Sequence, residues 1–97
     1  MTRLNNDAHE RLAKAILKLE TTEECHRFLE DICTIKEIDE MARRLDVAVL
    51  LSKGKNYQDI SAATGASTAT ISRVNKCLLY GGGGYAAVLE RLEGEGK

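Results

Sequence analysis

The stretch Leu45 to Leu51 reads LDVAVLL, and only Asp46 in it is polar. It forms the rear of a segment, about Ile35 to Lys53, whose front half carries Ile38, Met41 and Leu45 at helical spacing between charges. A helix that is apolar nearly all round has no face to give to water and must be covered on every side. A chain of 97 residues has little material for such cover, because one small domain buries a modest share of its surface. Bulky core fillers are also scarce: there is no Trp, one Phe (Phe28) and three Tyr (Tyr57, Tyr80, Tyr85). Apolar surface beyond what one chain can cover implies a second copy, and a homodimer is expected.

Helical patterns recur along the rest of the chain, which has no proline. Ala8, Leu12, Ile16 and Leu19 form a first apolar stripe. Thr21 and Glu24 have the spacing of a capping box ahead of a second helix that turns Cys25, Phe28, Leu29 and Ile32 inward. Thr34 and Glu37 repeat the signature ahead of the third helix, and Gly54 is placed to end it. Asn56 caps a short fourth helix, about Tyr57 to Thr64, with Ile60 and Ala63 inward, and Gly65 stops it. Ser67 caps a fifth helix from Thr68 to Tyr80. The four glycines at 81–84 then close it and form a hinge to a last helix, which carries Ala86, Val88, Leu89 and Leu92 before a polar tail. No alternating run suggests a strand. The expected fold class is all-α, with about six helices in a single domain over residues 1–97.

Several function classes fall away. The odd number of cysteines (Cys25, Cys33, Cys77), without a C-x-x-C pair or an apolar leader, predicts a cytoplasmic protein with reduced thiols serving as small core residues. Cys25 beside His26 lacks a second ligand pair, so no metal is expected. Uncharged runs are too short for a membrane span. His9 and His26 fall in different helices with no nucleophile or carboxylate arranged around them, which argues against an enzyme. The glycine run is not a phosphate loop, since neither a preceding strand nor a following G-K-[ST] is present. Net charge is −1, but its distribution is uneven. Between Ser52 and Tyr80 stand four cations (Lys53, Lys55, Arg73, Lys76) against Asp59 alone, while the remainder holds ten cations and fourteen anions. A mildly basic region on an acidic body fits a polyanion such as double-stranded DNA.

Two helices joined by a tight glycine turn, the second capped by Ser, describe a helix-turn-helix over about residues 56–80. At about 100° per residue, Ile71, Val74 and Leu78 fall on the inner side of the fifth helix. Ala69, Ser72, Arg73 and Lys76 then fall on the outer side, with Thr68 at the exposed start. Small groups lead and cations follow one turn later. Such a face can enter a major groove about 12 Å wide, because bulky leading side chains would hold the backbone off the bases. Methyls of Thr68 or Ala69 suit thymine, hydroxyls of Thr68 and Ser72 suit base edges, and Thr70, Lys76 and the first amides suit phosphates.

The residues GASTATISRV, preceded by LLSKGKNYQDI and CTIKEIDEMARRLDVA, resemble the Trp repressor superfamily, in particular the small TrpR-related proteins of the YerC/YecD type. The resemblance covers about Glu24 to Tyr80. It implies an intertwined homodimer of six-helix chains whose recognition helices meet successive major grooves, with dimerisation helices over about 7–53 and 85–93. It places the DNA reader at Ser67 to Lys76, with Gln58 and Asp59 on the positioning helix. It also implies an effector site, since in the repressor proper two arginines sandwich an indole ring. Arg73 matches one of them, Arg44 the other (Arg43 in the alternative register), and Thr34 a pocket threonine. Val74 departs from the family's glycine, and its two extra methyls would crowd a flat ring, while Cys77 replaces a polar pocket residue. Tryptophan is therefore not expected as corepressor, and a small-molecule corepressor of another shape stays open. The expected function is a sequence-specific DNA-binding regulator, a repressor acting on a palindromic operator. The alternative is a helical dimeric protein–protein adaptor that does not bind DNA.

Overall fold

The computed structural model describes residues 6–95. It contains six helices: α1 (Asp7–Leu17), α2 (Thr22–Ile32), α3 (Ile35–Ser52), α4 (Tyr57–Thr64), α5 (Thr68–Tyr80) and α6 (Gly84–Glu95). No strand occurs among the described residues, and no helix is long and apolar enough to cross a membrane. The chain divides into two compact units, Met1–Ile38 and Asp39–Lys97, with α3 running from the first into the second.

In the first unit, local hydrogen bonds set the helix starts. Asn6 Oδ1 accepts the His9 amide at 2.8 Å, and Asp7 and Glu10 put negative charge on the first turn of α1, where the helix dipole favours it. The α1 stripe is shorter than the sequence suggests. The amides of Lys18 and Leu19 turn back to the carbonyls of Ala15 and Ile16 at 3.1 Å each, a 3₁₀-type tightening that ends the helix and leaves Leu19 beyond it. Thr21 Oγ1 accepts the Glu24 amide at 3.0 Å, while Glu24 Oε1 reaches back to the Glu20 amide at 2.8 Å. The Thr34–Glu37 box is fully reciprocal: Glu37 N–H donates to Thr34 Oγ1 at 3.1 Å and Thr34 N–H to Glu37 Oε1 at 2.8 Å. Neither α1 nor α2 buries a residue fully, and Leu12, Ile16, Leu17 and Ile32 remain exposed.

The second unit has a core of Val47 and Ala48 from α3, Ile60 from α4, Ala66 from the turn, and Ile71 and Val74 from α5, all at most 2% exposed. Leu50, Leu51, Tyr57, Leu78, Tyr85 and Leu89 pack against it. Each fully covered Val or Ile contributes about 1.5–3 kcal/mol relative to exposure. Two expectations need correction. Ala63 is exposed, not inward. At about 100° per residue, Tyr57, Ser61 and Thr64 fall to one side of Ile60 and Ala63 to the other, and the first three are the half-buried ones. The cysteines are not core residues either: Cys25 and Cys33 are half-buried and Cys77 is exposed. Cys77 lies six residues, and so about 120°, around the α5 axis from Ile71. The last helix runs to Glu95, beyond the expected end near residue 93, and residues 96–97 of the expected tail lie outside the described residues.

Candidate nucleic-acid interface

The connection between α4 and α5 is built almost entirely from its own polar groups. Gly65 takes φ +76, the left-handed conformation that ends a helix at little cost only for glycine, and its amide donates to Ser61 O at 2.9 Å. Ser61 Oγ donates to Ala66 O at 2.9 Å. Thr64 Oγ1 donates to Ile60 O at 2.8 Å and accepts the Ala66 amide at 3.1 Å. Arg43, on α3, donates from Nε to Thr64 O at 3.3 Å and pairs through its guanidinium with Glu40. Ala66, 2% exposed, seats the turn in the core. At the other end of α4, Asn56 Oδ1 accepts the Asp59 amide at 2.8 Å.

This turn delivers the start of α5. Ser67 Oγ accepts the Thr70 amide at 3.1 Å, and the two hydroxyls hydrogen-bond to each other at 3.1 Å. Ile71 and Val74 fix the helix from beneath, with Leu78 half-buried one turn on. Thr68, Ala69, Ser72, Arg73 and Lys76 are all exposed, as is Gln58 on α4. The described residues include no side-chain hydrogen bond or ion pair made by Thr68, Ser72, Arg73 or Lys76 to another residue, so their polar ends face outward uncommitted. Ser67 and Thr70 differ, because their hydroxyls are engaged in shaping the helix start. Lys53 and Lys55, which flank Gly54 ahead of α4, are exposed as well.

The residues matched to an effector pocket fare differently. Thr34, in the first unit, spends its hydroxyl as acceptor in the α3 capping box. Arg44 is exposed and its Nε reaches its own helix at Glu40 O, 3.4 Å away, whereas Arg43 of the alternative register is the one tied to the turn. Arg73 is exposed. Val74 is 2% exposed inside the core, so the position after Arg73 is filled by packed side chain. No set of three His, Cys, Asp or Glu side chains among the described residues is arranged to hold a metal ion.

Sequence reasoning missed the turn network of Ser61, Thr64 and Arg43. The T-G at 64–65 was a signal for the local part. The Arg43 contact joins residues 21 apart and leaves no periodic trace.

The model of the Trp repressor protein family matches residues 7–93. The chain belongs to this family. It is 50% identical over 84 residues to the uncharacterized protein YerC of Bacillus subtilis (strain 168), spanning 87% of this chain and 81% of that protein. The crystal structure of a TrpR-like protein from Eubacterium eligens superposes with a TM-score of 0.89 at 49% identity, covering 94% of each chain. A candidate Trp repressor from Staphylococcus aureus gives 0.89 at 43% identity, covering 94% of this chain and 91% of that one. The all-α Trp repressor fold expected from GASTATISRV is therefore the fold of this chain. The family's match includes the whole of the helix-turn-helix formed by α4 and α5.

Proposed function

We propose that the chain is a sequence-specific DNA-binding transcription regulator, a repressor that binds a palindromic operator as a homodimer through α4 and α5. One observation carries the reading. The outward face of α5 offers Thr68, Ala69 and Ser72 first and Arg73 and Lys76 behind, all exposed, on a helix held rigidly by its buried side and its turn. Small groups at the tip allow close approach to base edges, and the cations that follow reach phosphates. Ser67 and Thr70 serve this surface by fixing where the tip begins, and Gln58 together with Lys53 and Lys55 extends it along the backbone of the duplex. Membership in the Trp repressor family supports the same role.

A homodimer is supported by apolar surface that a single chain leaves open. Leu79, Tyr80, Val88 and Leu92 are exposed, and Leu45, Tyr85 and Val88 line an open pocket of about 460 Å³. The fit at Val74 favours an operator complex that forms without tryptophan.

Gel shifts on fragments of the source genome, at rising salt, test the reading. Affinity is expected to fall steeply and linearly on a log–log plot, with a slope of about −0.9 per phosphate neutralised. The double variant R73E/K76E is expected to abolish the shift. Wild-type protein that retards no fragment even at low salt would rule out DNA binding. In that event, capture of a protein partner that survives R73E/K76E would favour the adaptor reading.

A further inference from the structure

We infer that Arg43 is a positioning residue for the DNA-reading helix, acting by capping the C-terminal end of α4 from the neighbouring α3. The inference rests on the DNA-binding reading above and adds to it a residue outside the helix-turn-helix. The last carbonyls of a helix have no partner within it, and they carry the negative end of its dipole. Three bonds close this end of α4: the Thr64 hydroxyl donates to Ile60 O, the Gly65 amide to Ser61 O, and Arg43 Nε to Thr64 O. The first two bonds come from within α4 and its stop. Only the third comes from another helix, and it lands on the residue immediately before Gly65, where the chain turns toward α5.

Arg43 is suited to this by its own fixation. Glu40, one turn earlier on α3, pairs with the guanidinium, leaving Nε directed at Thr64 O. The side chain is partly buried, its relative exposure 39%. Arginine's planar fork allows both contacts at once, Nε to one acceptor and a terminal nitrogen to the other. The consequence for the reader is geometric. Ser67, the cap of α5, follows Thr64 by three residues, so a carbonyl fixed against α3 sets the direction in which Thr68, Ala69 and Ser72 are presented. In this role Arg43 touches no base or phosphate.

The test compares wild type, R43M and R43K by two readouts. The first is amide hydrogen exchange at Gly65 and Ala66 in the free protein, whose N–H groups bond to Ser61 O and Thr64 Oγ1. The second is affinity for the tightest duplex selected from the genome, as a function of salt. For R43M, faster exchange at both amides is expected, with about a tenfold loss of affinity (about 1.4 kcal/mol) and an unchanged salt slope. R43K keeps a cationic donor and is expected to recover part of both. A salt slope reduced by about 0.9 in R43M would make Arg43 a phosphate contact and overturn the inference. Unchanged exchange overturns it too, whatever happens to affinity, and so does faster exchange with unchanged affinity. If wild type binds no duplex, the DNA reading and the positioning role fall together. Exchange then reports separately whether the α3–α4 brace exists.

Discussion

Ser67 shows how one side chain couples stability to presentation. Its Oγ accepts the Thr70 amide and so satisfies a donor that α5 cannot satisfy itself. Ser67→Ala is expected to lower unfolding free energy by about 1 kcal/mol, and Ser67→Gly by only a few tenths, because glycine leaves the amide open to water. Urea denaturation of the three proteins measures both, and equal losses in the two variants would contradict the capping account. Caps of this kind are legible in the sequence: Thr21, Thr34, Asn56 and Ser67 all cap as their spacing indicates. They are readable because the partners lie three residues apart. Arg43 was not readable in its present role, since its partner Thr64 is brought near by packing of the second unit rather than by sequence. The hydroxyl-rich opening of α5 likewise concealed a division of labour. Ser67 and Thr70 bond to each other, while Thr68 and Ser72 have no side-chain partner among the described residues, and their composition alone does not distinguish them.

Among the elements, the boundaries of α4 and α5 coincide with those read from Asn56, Gly65 and Ser67, because a cap and a stop lie at each end. The inward face of α4 was harder to read. Eight residues give barely two turns, and the half-buried hydroxyls of Ser61 and Thr64 outrank the apolar Ala63 once they have backbone partners. The glycines between α5 and α6 also divide in a way that no composition reveals. A Cβ on Gly81 would collide with Cys77 O, a backbone atom that cannot step aside without unwinding the end of α5. A Cβ on Gly82 meets nothing within 4 Å. Gly81→Ala is therefore expected to destabilise by about 1–3 kcal/mol, the usual range for forcing extra atoms into occupied space. Gly82→Ala is expected to stabilise by about 0.4–1 kcal/mol, by removing freedom from the unfolded chain. Thermal melts of the two single variants, compared with wild type, decide this. Similar shifts in both would mean that the run acts as a uniform flexible spacer.

At the scale of the whole molecule, LDVAVLL is itself covered within one chain, Val47 and Ala48 fully and its leucines and Val49 partly, and the uncovered apolar surface lies elsewhere. Leu12, Ile16, Leu17 and Ile32 in the first unit, and Leu79, Tyr80, Val88 and Leu92 in the second, remain uncovered. Cover from a second copy would also supply a second α5, and a two-fold axis turns one reader into a pair facing a palindrome. The pair would meet one side of the duplex only if its half-sites lie about 10 base pairs apart, one helical turn, centre to centre. Operator spacing therefore tests the assembly without a structure of the complex. Inserting five base pairs between the half-sites of a selected operator turns one of them about half a turn to the far side of the DNA, so the affinity is expected to drop to the non-specific level. Inserting ten restores the facing but adds about 34 Å of separation, at 3.4 Å per base pair. Readers fixed to one dimer body cannot follow that displacement, and binding is expected to stay lost. Gel shifts on the three duplexes separate the alternatives. Full affinity at five extra pairs would mean that one reader acts alone, and recovery at ten would mean that the two readers are joined by a flexible tether. The loss of both is the signature of two recognition helices held at a fixed distance, each aimed by its own turn.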